Sequence, residues 1–163
     1  MKQFLYNPID HIAWLNPHDL IANDYNPNVV QPTELRLLKI SIERNGWIQP
    51  ILISQNKVVI DGFHRATLAK LENWEVPCAV LDVNEAERML LTIRINRAKG
   101  THIAFKMADI VKELVQKHEL PKAYIAQSIG ASMEEVELLL MQDVFQKMDI
   151  DKHQYSRAWT TKK

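Results

Sequence analysis

Proline placement and helical periodicity divide the chain in two, and that division limits the folds open to it. Six of the seven prolines fall before about residue 82, among short apolar runs of strand length. From about residue 84 one helical pattern follows another, with Pro121 the only proline. Such a chain is neither all-β nor a plain helical bundle. Its 163 residues give room for one domain, or one small domain with an appendage.

In the first part, Ile12 to Leu15 reads as a short strand, and Asn16-Pro17, Asn23-Asp24 and Asn26-Pro27-Asn28 as turns. Thr33 is a candidate helix cap, followed by Leu35, Leu38 and Ile42 at helical spacing, and Asn45-Gly46 closes that helix. Ile51 to Ser54 and Lys57 to Ile60 flank Gln55-Asn56, which predicts a hairpin. A helix from near His64 to Leu71 and a strand over Val76 to Val80 complete this part. The second part divides at Gly100-Thr101, Pro121 and Gly130, giving helices near 84–97, 102–118, 122–129, 133–139 and 141–148. The expected class is α+β: a small mixed sheet with helices over 1–83, an all-helical region over 84–150, and a polar tail over 151–163 in which Tyr155 and Trp159 are docking candidates.

Composition excludes several classes. With 47% apolar and 25% charged residues, the chain is globular rather than disordered. A formal net charge of zero argues against nucleic-acid binding by bulk charge. The single cysteine, Cys78, excludes an internal disulfide framework and a Cys-rich zinc site. Met1 to Asp10 lacks a basic start leading into an apolar run, and no stretch approaches membrane-span length, so the expectation is a cytoplasmic protein with no membrane partner. Neutrality nevertheless hides a dipole. Arg88 to Lys122 holds eight Lys/Arg against three acidic residues, whereas Glu134 to Asp151 holds six acidic residues against one lysine. Two solvated faces that happen to differ would explain this equally well.

The sharpest local feature is Val58-Val59-Ile60-Asp61-Gly62-Phe63-His64-Arg65-Ala66, an apolar strand running through a glycine into a helix. A helix N-terminus offers free N–H groups and a partial positive charge to an anion. Gly62 lets the backbone approach a phosphate closely. His64 and Arg65 add cationic donors, Arg65 with a two-pronged grip. Asp61 is placed to hold a divalent metal or to orient Arg65. The bland alternative is a structural turn carrying surface charges.

These residues resemble the ParB/sulfiredoxin superfamily, whose phosphate loop is a strand followed by Gly-x-His/Arg-Arg and a helix. The resemblance covers about residues 10 to 130. Asn26-Pro27-Asn28 stands where ParB-like proteins carry Asn-Pro. Leu38, Ser41-Ile42, Gly46 and Gln49-Pro50-Ile51 match a second stretch of their pattern, and Pro77 matches the proline entering the next strand. The resemblance implies a nucleotide-triphosphate pocket, for CTP or ATP with Mg2+, drawing on Gly62, Phe63, His64, Arg65, Ser41 and Gln49. It implies metal help from Asp61 and Asn96 and phosphate contact from Asn96 and Arg97. An archaeal serine kinase of the superfamily carries an acid before the glycine, like Asp61, which makes Asp61 the candidate catalytic acid and brings in Glu34 and Glu43. Two departures stand out. Phe63 occupies the position of the reactive cysteine of sulfiredoxin, so that chemistry is not expected. Arg94-Ile95-Asn96-Arg97 lacks the glutamate of the partition-protein Glu-Asn-x-x-Arg motif.

Gly100 and Thr101 place a further helix start beside Asn96, Arg97, Lys99 and His102, a second anion site in principle. Ala126, Gly130 and Val136, with Ile125, Ile129 and Leu139 apolar, have the spacing of a helix-turn-helix over about 122–140. The exposed residues of its second helix would be Ser132, Glu134, Glu135 and Glu137, and three carboxylates repel phosphates. Lys106, Lys112, Lys117 and Lys122 are the candidate DNA-backbone contacts, with Ser132 beside them. His11, His18, His118 and His153 lack ligand spacing. Trp14, Trp47 and Trp74 read as core or rim aromatics, with Trp47 and Phe63 as candidate base-stacking partners, and Met133, Met141 and Met148 as packing or an oligomer seam.

The expected function is a ParB-like nucleotide-binding regulator acting on DNA or with a DNA-bound partner. It resembles stand-alone, prophage- or island-encoded ParB-like transcriptional co-activators, with a homodimer or a protein partner in view. The alternatives are an ATP-dependent phosphotransferase or nucleotide hydrolase without DNA, and a protein-interaction module with a vestigial pocket.

Overall fold

The computed structural model describes residues 6–23, 32–100 and 104–141. The chain separates into two compact units, Met1–Asn84 and Glu85–Lys163.

The first unit is a mixed α+β layer. A four-stranded sheet has the order β1-β4-β2-β3, with β1 at Ile12–Leu15, β2 at Ile51–Ser54, β3 at Val59–Asp61 and β4 at Val76–Leu81. β1 pairs with β4 antiparallel, β4 with β2 parallel, and β2 with β3 as the expected hairpin. The parallel β2–β4 pair demands a crossover, which β3 and helix α2 (Phe63–Glu72) supply. Pro77 sits in an interior strand without disrupting it. It pairs with Trp14 of β1, while pairing on the β2 side begins one residue later, at Cys78 with Ile51. The missing N–H therefore falls where β4 has a neighbour on one side only. β3 starts at Val59 rather than Lys57, because Lys57 takes a left-handed φ of 60° to close the turn, its N–H donating to the Ser54 carbonyl at 2.9 Å.

Ile51, Ile53, Val59, Val76 and Cys78 form the sheet core with Leu20, Ala66 and Ala69, and Trp47 and Trp74 pack against it. The two alanines let α2 approach the sheet closely. Trp47 is thus a core-rim residue, while Trp14 stands 56% exposed on β1. Helix α1 spans Pro32–Asn45 and ends where expected, at Gly46 with φ +72°. Its start differs from the expectation: Thr33 lies inside the helix, and Pro32, whose missing N–H costs nothing in a first turn, opens it. Nothing in α1 is fully buried.

The second unit is helical: α3 (Glu85–Ala98), α4 (Ala104–Gln116), α5 (Lys122–Ile129) and α6 (Met133–Leu140). Its buried residues include Met89, Leu90 and Ile93 of α3, Ile110, Val111 and Leu114 of α4, Ile125, Ala126 and Ile129 of α5, and Val136 and Leu139 of α6. Gly130 ends α5 in the left-handed conformation at φ 66°, and the Ser132 hydroxyl accepts from the Glu135 N–H to cap α6. The helix expected at 141–148, the tail, the Asn26-Pro27-Asn28 segment, Thr101 and His102 lie outside the described residues. So does the side chain of Lys106. No described helix is long and apolar enough to cross a membrane.

Candidate functional site

The β3–α2 turn is built by Gly62. At φ +96° it holds the left-handed conformation that L-residues rarely adopt. Space gives a second reason for glycine there. A Cβ would sit 3.1 Å from Arg65 Nη2, 3.3 Å from its Cζ and 3.3 Å from Ile51 Cα. Val59 and Ile60 anchor the incoming strand in the core, and Ala66 anchors the outgoing helix. The Gly62 carbonyl accepts from Ala66 N–H at 2.9 Å, while the residue offers no side-chain cap to the first turn of α2. The N–H groups of Phe63, His64 and Arg65 thus have no intrahelical acceptor. That is the arrangement an anion satisfies.

Arg65 turns inward. Its Nη1 donates to the Gln49 and Pro50 carbonyls at 2.8 and 2.7 Å, and its Nη2 to Asp61 Oδ2 at 3.3 Å. Both side chains of the Arg65–Asp61 pair are mostly buried, at 13% and 14% exposure. Burial pulls the guanidinium pKa below its ordinary value, and Asp61 works against that pull. The two-pronged donor expected to grip phosphate therefore braces the loop. It ties the 49–50 segment to the phosphate turn and aims the Asp61 carboxylate. Gln49 contributes through its backbone carbonyl, and its residue is exposed.

His64, the other candidate donor of the turn, is half-buried. Its Nδ1 lies 3.9 Å from Glu34 Oε2 on α1, and its Nε2 is buried without a hydrogen-bond partner. Sequence reasoning named Glu34 only by analogy; the pairing across α1 and α2 has no signal in local spacing. Glu43 pairs with Lys39 at 3.9 Å on its own helix. Ser41 is half-buried, and its carbonyl accepts from Asn45 Nδ2. Phe63 is half-buried at the first position of α2. Asn23, not singled out from sequence beyond its turn signal, is buried and donates through Nδ2 to the Val59 carbonyl at 2.6 Å. It steadies the strand that leads into the turn.

The second expected cluster belongs to the helical unit and has a different character. Asn96 is 6% exposed, and its Nδ2 donates to the Thr92 carbonyl one turn earlier at 2.8 Å. Arg97 donates through Nη1 and Nη2 to the two carboxylate oxygens of Glu135 at 2.5 and 3.4 Å, and through Nη2 to the Gly130 carbonyl at 3.3 Å. Glu135 is therefore held by an arginine of its own unit, a correction to the picture of three glutamates facing a DNA groove. Ser132 is spent on the cap of α6, while Lys112 and Lys122 are exposed.

Among the described residues, the one group of three metal-ligand side chains that converges is Glu85, Glu113 and His118, within 4.8 Å of one another. Lys117 Nζ already sits 3.1 Å from Glu85 and 3.0 Å from Glu113, and Asp61 is not part of the group. Cys78 is buried in β4, and burial pushes its thiol up to about 11, so it stays protonated and unreactive.

The model of the ParB N-terminal domain matches residues 3–96. The Escherichia coli K12 protein YbdM is 36% identical across 99% of this chain and 82% of its own length. A nucleoid occlusion protein of Bacillus thuringiensis is 26% identical across 77% of this chain, and the match spans only 44% of that protein's length. Among solved structures, truncated Caulobacter crescentus ParB complexed to the centromeric parS site matches with a TM-score of 0.56 and 20% identity, over 88% of this chain and 80% of that one. The same protein complexed with CTP-gamma-S matches with a TM-score of 0.50 and 21% identity, over 87% and 88%. A Pnob8-like ParB-N domain gives 0.57 at 13% identity, over 88% and 75%.

Proposed function

The chain belongs to the ParB N-terminal domain family, and from that premise we propose that it is a nucleotide-binding regulatory protein whose phosphate site is the β3–α2 turn. The observation that carries the reading is the turn itself: Gly62 opens the backbone, three N–H groups lack intrahelical acceptors, and His64, in the same first turn of α2, has a buried Nε2 without a hydrogen-bond partner. A triphosphate satisfies such a row of backbone donors. The ligand class is a nucleoside triphosphate, CTP or ATP. A solved relative of the same fold is complexed with CTP-gamma-S.

In this reading Arg65 positions rather than grips. It holds Asp61 and the 49–50 carbonyls so that the turn keeps its shape. Magnesium fits the donor set, because Mg2+ is commonly bound by one or two carboxylates with the phosphates supplying further oxygens. Asp61, already paired with Arg65, is the carboxylate proposed for that role. When bound, the ion would neutralise phosphate charge. Asn96 belongs to the second unit, where its side chain is turned back onto its own helix. Phe63, Ser41 and Gln49 remain proposed neighbours of the nucleotide.

The helical unit is proposed as a helix-turn-helix acting on DNA or on a DNA-bound partner, in transcription or mobile-element biology. Buried Ala126 and Val136 around a left-handed Gly130 support it. So do exposed Lys112 and Lys122, and a relative solved with parS DNA. The alternative is a phosphotransferase or hydrolase without DNA, favoured by Asp61 beside the phosphate turn. Mass spectrometry of the purified protein tests the nucleotide, and titration with a duplex at low and physiological salt tests DNA. Electrostatic contact through two lysines would weaken steeply with salt. No duplex binding at low salt removes direct DNA contact.

A further inference from the structure

The start of α3 and the end of α4 bring three side chains of the second unit together. Glu85 opens α3, Glu113 lies in the last turn of α4, and His118 follows that helix. The chain folds back there. Glu119 takes a left-handed φ of 53°, His118 N–H donates to the Glu113 carbonyl at 3.3 Å, and Leu120 N–H donates to the Leu114 carbonyl at 3.0 Å. Buried Leu114 anchors the turn. One ligand atom from each of Glu85, Glu113 and His118 then lies within 4.8 Å of the other two. Spacing along the sequence does not show this, since Glu85 belongs to the preceding helix.

Two observations point to a cation among them. The His118 side chain is only 17% exposed, and its Nε2 is buried without a hydrogen-bond partner. Glu85 Oε2 stands 3.6 Å from it, beyond hydrogen-bond reach. A buried ring nitrogen left unbonded is costly, and a metal ion satisfies it. The two carboxylates, moreover, already hold a cation. Lys117 Nζ lies 3.1 Å from Glu85 Oε1 and 3.0 Å from Glu113 Oε1. That ammonium stands where a divalent ion would sit. Its side chain is 55% exposed, so it can swing into solvent at little cost.

The donor set selects the ion. One imidazole nitrogen with two carboxylates suits zinc or a similar divalent transition metal better than magnesium, which takes oxygen ligands in an octahedron. Size agrees. Ligand atoms about 2.1 Å from a tetrahedral zinc lie about 3.4 Å apart. His118 Nε2 and Glu85 Oε2 are already at 3.6 Å. A movement of roughly 1 Å by the partly exposed glutamates closes the rest. Arg88 Nη2 contacts Oε1 of Glu85 at 3.5 Å, whereas Oε2 is the oxygen near His118. We propose that Glu85, Glu113 and His118 form a zinc site of the helical unit, with Lys117 as its resident competitor. Zinc displaces the ammonium, ties the start of α3 to the end of α4 and stabilises the unit, and water completes the coordination. The residues of the β3–α2 turn belong to the other unit, and zinc binding needs no nucleotide.

Calorimetric titration of the tag-free full chain with zinc chloride alone, without nucleotide, tests it. The expected result is saturable binding of one ion per chain at micromolar zinc, unchanged by millimolar Mg2+. Affinity should fall about tenfold or more in His118→Ala and in Glu113→Gln, at least the loss that removal of an outer-shell partner causes. Lys117→Ala should instead bind several-fold more tightly, because the ammonium no longer competes. Zinc should raise the thermal midpoint of the parent and of Lys117→Ala, and leave that of His118→Ala unmoved. His118→Gln takes the place of His118→Ala if circular dichroism shows the alanine variant unfolded. Absence of saturable zinc binding to the parent below millimolar concentration overturns the proposal and leaves an ion-pair cluster. So does undiminished affinity in the His118 variant, which would assign the ion to other histidines. Equal or weaker binding by Lys117→Ala overturns the placement of the ion between the two carboxylates.

Discussion

Arg97 on α3 and Glu135 on α6 form a two-pronged ion pair, Nη1 to Oε1 at 2.5 Å and Nη2 to Oε2 at 3.4 Å. The same guanidinium reaches the Gly130 carbonyl at the α5–α6 turn. One arginine therefore fixes the turn and the helix after it. It also changes the charge argument about this region: of the three glutamates expected to face outward, one is neutralised within the unit.

Loss of this clamp should loosen the helical unit. Glu135 is 39% exposed and Arg97 23% exposed, so solvent screens part of the attraction. Glu135→Gln is expected to cost about 1 kcal/mol, and Arg97→Ala about 1–2 kcal/mol because the Gly130 contact goes as well. Urea unfolding followed by far-ultraviolet circular dichroism checks both, with Arg97→Ala the more destabilised.

Arg65 should behave as a structural residue before it behaves as a ligand. Its three acceptors are the Gln49 and Pro50 carbonyls and Asp61, in a mostly buried setting. Arg65→Ala is expected to cost about 2–4 kcal/mol, and Arg65→Lys to recover only part of it, since an ammonium cannot serve all three at the same angles. Equal stability of the parent and Arg65→Ala in denaturant titration would contradict the bracing role.

Gly62→Ala meets both obstacles at the turn, a φ of +96° and contacts of 3.1–3.3 Å with Arg65 and Ile51. A destabilisation of about 1–3 kcal/mol is expected. Arg65 should give way first, because Ile51 Cα is backbone at the sheet centre. Thermal unfolding measures the cost, and a crystal structure of the variant would show Arg65 displaced from Asp61.

Cys78 makes stability depend on alkaline pH. Its folded thiol sits at about 11 against an ordinary 9.0, so the folded state keeps a proton that the unfolded chain releases. The stabilisation from the neutral thiol is complete below pH 9 and is lost as pH rises from 9 to 11, by about 2–3 kcal/mol in all. Denaturant midpoints for the parent should fall over that window more steeply than for Cys78→Ala. A thiol reagent at pH 8 should label Cys78 only when denaturant is present.

The sequence disclosed the elements well where local rules decide. Gly46, Gly62 and Gly130 marked a helix end, a strand-to-helix turn and a helix-to-helix turn, and each takes a positive φ. The hairpin was legible because two apolar runs flank a short polar turn. Boundaries moved where one backbone choice outweighed the pattern, as at Lys57 and Pro32. Side-chain roles were less legible, because they depend on what lies across the fold. Arg65 and Arg97 were recognised as important cations, yet each is satisfied by groups 4 to 38 residues away. Spacing along the chain cannot show that an arginine will be spent on carbonyls of another segment. The pairing of His64 with Glu34 and the burial of Asn23 were hidden for the same reason.

The central claim is nucleotide binding at the β3–α2 turn, and calorimetric titration of the purified protein with CTP and with ATP, each with Mg2+, tests it most directly. The account expects saturable one-to-one binding of at least one of them, weakened by chelating the metal and about tenfold or more in His64→Ala, a variant that leaves the Arg65 brace untouched. Absence of binding by either nucleotide up to millimolar concentration, or full affinity in His64→Ala, would contradict it.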